Sequence, residues 1–362
     1  MPRPIAATVH MESLRHNLAR MRACAGDRTL WAVVKANAYG HGLLRAARAF
    51  SDADGLAMID ICDAQAVRQA GWRKRILLLE GFFDETDLPI LDDLEIETNI
   101  HNREMIEILK AHAPYKNLKV HIKVNSGMNR LGFLPLEEHY VFQELSAIEG
   151  VQVMGFVTHF ANAEPSYLGE GPATVSKQIS RLGRIAHETA GVCLSNSAAT
   201  LWHPEVVGSA VRAGIALYGV SPDPKFSSEE VGLKPAMTLS AKILAIQEIA
   251  AGEAVGYGSR FVAKRTSRIA IVACGYADGY PRSMPDGAPT YVEGHYAPIA
   301  GTVAMDMLTI DVTDIPAAKV GSVVELWGKH VPINYLAGLC HTIGYELMCA
   351  IALRVPLLED EN

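Results

Sequence analysis

The chain has 362 residues, 49% of them hydrophobic and 20% charged, which is the makeup of an ordinary globular protein. One core rarely serves a chain of that length, so a large domain with a smaller companion is expected. A net charge of -7 excludes nucleic acid as the main partner, and no apolar run is long enough to span a membrane.

The opening segment PIAATVHM reads as a strand, and residues 1–10 are expected to join the second domain rather than the first. The start lacks the apolar core of a signal peptide, and the six cysteines form no CxxC pair, so the expected location is the cytoplasm. Short apolar runs then recur: LWAVV (30–34), GLAMI (55–59), ILLLE (76–80), LEIETN (94–99), KVHIKVN (119–125), VMGFVTHF (153–160), VCLSN (192–196) and AVRAGI (210–215). Stretches with helical spacing separate them, such as Leu43, Ala47 and Phe50, or Met105, Ile108 and Leu109. Eight apolar strands alternating with amphipathic helices predict an α/β fold, a parallel (β/α)8 barrel over residues 11–234. From residue 235 to 362 the runs MTLSAKILAI, RIAIVACGYA, PTYVEG, MLTIDV and SVVELWG are divided by Gly, Pro and Asp, which predicts a mostly β domain.

In a barrel of this kind the active site collects at the carboxyl ends of the strands. Lys35, Arg130, His159, Ser197 and Arg212 all fall at or just beyond such ends. The stretch VVKANAYGHG brings an ammonium group to the tip of the first strand. A lysine there ordinarily snorkels to water. Desolvated at a barrel mouth, it becomes an amine able to attack a carbonyl.

The motifs KANAYGHG, KVNSGMNRLG, THFANAE, SNSAATL, VRAGIALYG, VGYGSRF, GYADGYPR, GTVAMDM and IGYELMCAIALRVP together resemble those of bacterial alanine racemases, nearest to the catabolic type. They cover both domains in order. The resemblance implies a pyridoxal 5'-phosphate enzyme acting as a homodimer with shared active sites. Lys35 would tether the cofactor and handle a proton on one face of the substrate Cα. Tyr257 of the opposite subunit would serve the other face. Phenols titrate near ~10 and are poor bases at neutral pH, so that tyrosine would need neighbours that favour its phenolate.

The resemblance further assigns Arg212 to the cofactor's ring nitrogen, with His159 beside it. Ser197, the backbone of Gly214, Tyr39 and Tyr345 would hold the phosphate, and Asn196 would orient that corner. Arg130 would clamp the substrate carboxylate, with Met305 from the other subunit bounding the pocket. Lys123 stands where some relatives carry a carbamylated lysine, and Tyr276, Arg282 and Asp306 would line the access channel. Asn125, Ser126 and Ala304 depart from the residues many relatives carry, without removing a proton-transfer group. The product would supply D-alanine for peptidoglycan, or the reaction would serve alanine catabolism. Two other readings remain at this level: a decarboxylase of the same architecture, whose cysteine-containing motif is missing here, and a cofactor carrier, whose relatives lack a β domain.

Overall fold

The computed structural model describes residues 3–361 other than 168–170, 172, 188–190 and 207. A first strand, β1 (Ile5–His10), precedes eight parallel strands: β2 (Thr29–Val33), β3 (Gly55–Met58), β4 (Arg75–Leu78), β5 (Glu97–Ile100), β6 (Leu118–Lys123), β7 (Val151–Val157), β8 (Val192–Ser195) and β9 (Ala210–Ala213). They close into a barrel, because β2 pairs with β3 on one side and with β9 on the other, Trp31 lying opposite both Gly55 and Arg212. The eight apolar runs account for all eight strands, and the expected barrel is the observed one. Strands buried on both faces explain why those runs are continuous rather than alternating.

A polar cluster lies lower in the barrel. Arg75 donates from Nε and Nη2 to the Glu97 carboxylate at 2.5 and 2.7 Å, and His121 Nε2 lies 2.7 Å from the same group. Burial works against the Glu97 charge, yet these partners outweigh it and hold the carboxyl at about 2. The Arg75 guanidinium in turn stacks 4.6 Å from the Trp31 ring centre.

The second compact unit joins three stretches of chain: the amino-terminal segment to Leu14, Tyr39–Gly42, and everything from Tyr218 onward. Its main sheet is built on the long strand β10 (Met237–Ile249), which pairs antiparallel with β1, Val323–Trp327 and Ser267–Val272. The other edge of β1 pairs in parallel with Leu357–Asp360. Leu239, Val272, Ile310, Leu326 and Trp327 fill its core. The compact unit takes in the chain from Tyr218. Tyr218 is fully buried with Tyr39 and His41 each 4.7 Å away between ring centres, and its carbonyl accepts a hydrogen bond from Ala236 N. This packing draws residues 218–234 into the carboxyl-terminal unit.

Candidate active site

Lys35 lies two residues past the end of β2 and is half-buried. The chain then makes a left-handed turn. Ala36, Asn37, Ala38 and Tyr39 have φ values of 53, 51, 55 and 51°. Each such residue costs on the order of 1–2 kcal/mol in an ordinary L-amino acid, least for asparagine. Two bonds fix the turn: Ala38 N donates to Val34 O at 2.9 Å, and Leu43 N donates to Asn37 Oδ1 at 2.9 Å. Gly40, at φ 81°, ends it where a Cβ would meet Met348 O at 2.2 Å. Strain of this kind persists only where surrounding structure fixes it, and it tends to collect at functional sites.

The barrel mouth concentrates positive charge. Lys123, at the end of β6, is buried, and its amine is lowered to about 8 by burial and then by the charges of Arg212, Arg130 and Lys35. His159 is held well below its usual range by burial, and by the same arginines with Lys123 and Lys35. Arg212, on β9, is buried, and both of its terminal nitrogens are engaged. Nη1 donates to Cys193 O at 2.7 Å and meets Cys193 Sγ at 3.1 Å, while Nη2 donates to Thr158 O at 2.6 Å and reaches His159 Nδ1 at 3.4 Å. Arg130 is exposed near the end of a loop whose base is closed by Asn125 N to Phe133 O (2.8 Å) and Phe133 N to Lys123 O (2.9 Å). Asn125 Oδ1 accepts from Gly127 N and Asn129 N inside that loop. Four cationic side chains around one mouth create a demand for an anion.

Hydroxyl and amide donors complete the barrel's share. Asn196 caps the helix Ser197–Trp202, its side chain accepting from Ala199 N at 2.9 Å. Ser197 Oγ accepts from Gly214 N at 2.8 Å, which joins the carboxyl ends of β8 and β9. A primary amine, a buried guanidinium, a neutral imidazole and a hydroxyl–amide corner, set in a cationic mouth, form the donor set that an anionic aldehyde cofactor with a phosphate and a ring nitrogen requires. The residues present therefore fit pyridoxal phosphate.

The other unit holds the remaining candidates. Tyr39 is buried and its phenol pushed up by burial, with the Tyr345 ring 6.0 Å away. Tyr257 occupies the tip between two short strands, Ala254–Val255 and Phe261–Val262, and is 72% exposed. That tip is anchored, because Arg260 donates to Met284 O and Gly301 O, and Thr302 Oγ1 donates to Tyr257 O. Gly275 lets two backbones touch: a Cβ there would lie 2.3 Å from Met305 O. Tyr276 N and Ala277 N donate to Ala304 O and Met305 O, so Tyr276 and Met305 are held side by side. Arg3 and Arg354 bridge Asp306 to the buried Asp278. Arg282 is exposed nearby in sequence.

The sequence profile described as "Alanine racemase, N-terminal domain" matches residues 9–222, and the one described as "Alanine racemase, C-terminal domain" matches residues 236–358. The chain belongs to the alanine racemase family. A protein named alanine racemase from Burkholderia mallei strain ATCC 23344 is 46% identical over 99% of both chains. One from Klebsiella aerogenes, named as catabolic, is 45% identical over the same shares. The crystal structure of a biosynthetic alanine racemase from Pseudomonas aeruginosa superposes with a TM-score of 0.93 at 41% identity, covering 99% of each chain.

Several features of this family member were not visible in its sequence. The left-handed turn carried only a faint signal, an asparagine and two glycines after Lys35. The amide of Gln178, which reaches the mouth from the helix Val175–Leu182, and the thiol of Cys193 against Arg212 carried none.

Proposed function

We propose that the protein interconverts L- and D-alanine with pyridoxal 5'-phosphate as cofactor. The observation that carries this reading is the cationic barrel mouth, with Lys35 at the head of a fixed left-handed turn, in a chain that matches alanine racemases from end to end. Lys35, His159, Asn196, Ser197, Arg212, the Gly214 amide, Tyr39 and Tyr345 would hold the cofactor. When bound, pyridoxal phosphate supplies an aldehyde for amines and a ring that delocalises the charge left at Cα.

The chain's own groups do the rest. Lys35 would hold the proton at Nζ on one face of Cα. Tyr257 of a second copy would hold it at Oη on the other, so the stereocentre inverts when one gives and the other takes. Arg212 can only donate, and it would leave the ring nitrogen unprotonated. Ring withdrawal would be weaker accordingly, which would slow proton removal but also limit side reactions. Arg130 would clamp the alanine carboxylate, and Met305 of the second copy would close the pocket through its backbone amide. Tyr276, Arg282 and Asp306 would line a narrow access route that excludes larger side chains, since size discrimination by affinity alone gives only ~1–3 kcal/mol per methylene.

Lys123 supports a further element. An amine lowered to about 8 is partly neutral at physiological pH and able to take up CO2. The nitrogen bonds to carbon and releases a proton, leaving a carbamate anion that would pair with Arg130. The exposed Tyr257, Tyr276, Met305 and Met307 form the kind of apolar surface that a second copy covers, supporting a homodimer. All six cysteines are unpaired, as expected for a reducing, cytoplasmic setting.

The test is direct. Borohydride treatment of the holoenzyme should fix the cofactor to Lys35, as peptide mapping would show, and the untreated enzyme should erase the optical rotation of L-alanine. Label on another lysine, or unchanged rotation with cofactor bound, would overturn the reading. Carbon dioxide release from lysine or ornithine would favour a decarboxylase instead.

A further inference from the structure

The side chain of Gln178 is fully buried, and its three hydrogen bonds go to the barrel mouth. Its Oε1 accepts from Ala161 N at 2.8 Å, and its Nε2 donates to His159 O at 3.0 Å and to Ser126 Oγ at 2.9 Å. The amide orientation is unambiguous, because a backbone N–H requires the oxygen and a carbonyl requires the nitrogen. We infer that Gln178 is the positioning residue that holds the Arg130-bearing loop in fixed relation to His159, coupling the carboxylate clamp to the cofactor's neighbourhood. The inference rests on the roles given above to Arg130 and His159.

Hydrogen-bond direction can be followed through the whole chain of groups. Val124 O can only accept, so Thr158 Oγ1, 2.7 Å away, donates to it. Ser126 Oγ, 2.8 Å from Thr158 Oγ1, must then donate there, which leaves its lone pair for Gln178. Every buried group in this relay is satisfied in only one sense, which favours a single arrangement. Thr158 O also takes the Arg212 Nη2 hydrogen, so the relay ends on the residue assigned to the ring nitrogen. One turn along the same helix, Arg181 Nη1 reaches Ser126 O at 3.4 Å, a second brace on the start of the Arg130 loop. Ser126 and Gly127 lie only four and three positions before Arg130, inside the loop closed at Phe133.

A merely structural glutamine would lower stability and leave the kinetic constants of the folded fraction alone. A positioning one would change KM more than kcat, because the carboxylate clamp is displaced while the proton-transfer groups are not. Gln178→Met removes all three side-chain bonds of Gln178 at constant size, Gln178→Glu keeps the acceptor for Ala161 but loses both donors, and Ser126→Ala removes one link without risk of overpacking. We expect KM for L-alanine to rise about tenfold in the two Gln178 variants and about threefold in Ser126→Ala, with kcat within about threefold of wild type, the scale of one or two lost hydrogen bonds. Arg130→Lys in the same assay separates the two claims. If it leaves KM unchanged, the role of Arg130 fails; if it raises KM while the Gln178 and Ser126 variants keep the wild-type value, or lose only kcat, the positioning role is overturned.

Discussion

Arg212 Nη2 and His159 Nδ1 lie 3.4 Å apart, and only the guanidinium can donate across that gap. His159 therefore keeps a lone pair on Nδ1 and its hydrogen on Nε2. Burial first, and then the charges of Arg212, Arg130, Lys123 and Lys35, keep the ring neutral. A protonated ring would face Arg212 with a second donor.

A stability slope follows from that neutrality. An unfolded histidine takes up a proton below pH ~6.5, whereas the folded His159 refuses it until far lower pH. The unfolded state then binds more protons, so stability contributed at this position is intact above pH ~6.5 and declines as the pH falls below it. Urea midpoints measured between pH 7 and 5 should fall less steeply in His159→Gln than in wild type. Equal slopes would show that the ring titrates alike in both states.

Lys123 makes a prediction about CO2. With its amine near 8, the unmodified side chain adds one more charge to a mouth already rich in cations, whereas the carbamate reverses that charge. Enzyme prepared free of CO2 should show a raised KM for alanine, bicarbonate should restore it, and Lys123→Met should show the raised value under both conditions. Native mass spectra lacking one bound CO2, together with kinetics indifferent to bicarbonate, would count against the carbamate.

The left-handed turn makes a prediction about strain. Ala36 is exposed at φ 53°, a conformation that glycine adopts without the Cβ penalty. Relief of that penalty exceeds the extra chain entropy of glycine, so Ala36→Gly should stabilise the protein by roughly 0.5–1 kcal/mol, and Ala36→Val should destabilise it. Chemical denaturation reads both. A destabilised glycine variant would mean that the turn is not strained at this residue.

The fold was legible because it rests on repeated local signals. Each barrel strand is a short apolar run, and each placed its last residues at the mouth, so Lys35, Arg130, His159, Ser197 and Arg212 could be expected together from strand ends alone. What stayed hidden depends on distance in sequence. Gln178 meets Ser126 across 52 positions and Arg212 meets Cys193 across 19, and neither pairing leaves a periodic trace. The packing of Tyr218 against Tyr39, from the far end of the chain, leaves no local trace either. Tyr257 was singled out only through family motifs, because an exposed tyrosine in a Gly-rich tip carries no local signal of its own.

Shared active sites can be tested by mixing two dead proteins. Lys35→Ala removes the amine from one protomer's mouth, and Tyr257→Phe removes the phenol that the same protomer would lend to its neighbour. In a mixed dimer, one mouth lacks both groups, while the other combines the intact Lys35 of one copy with the intact Tyr257 of its partner. Random reassortment makes half the dimers mixed, each with one working site, so the mixture should recover about a quarter of wild-type activity in a symmetric two-fold assembly. Each variant alone should lose at least ~10²-fold, the scale of a lost general acid or base. Should each site draw both groups from a single copy, the mixture would stay as inactive as its components, and the exposed position of Tyr257 would need another explanation.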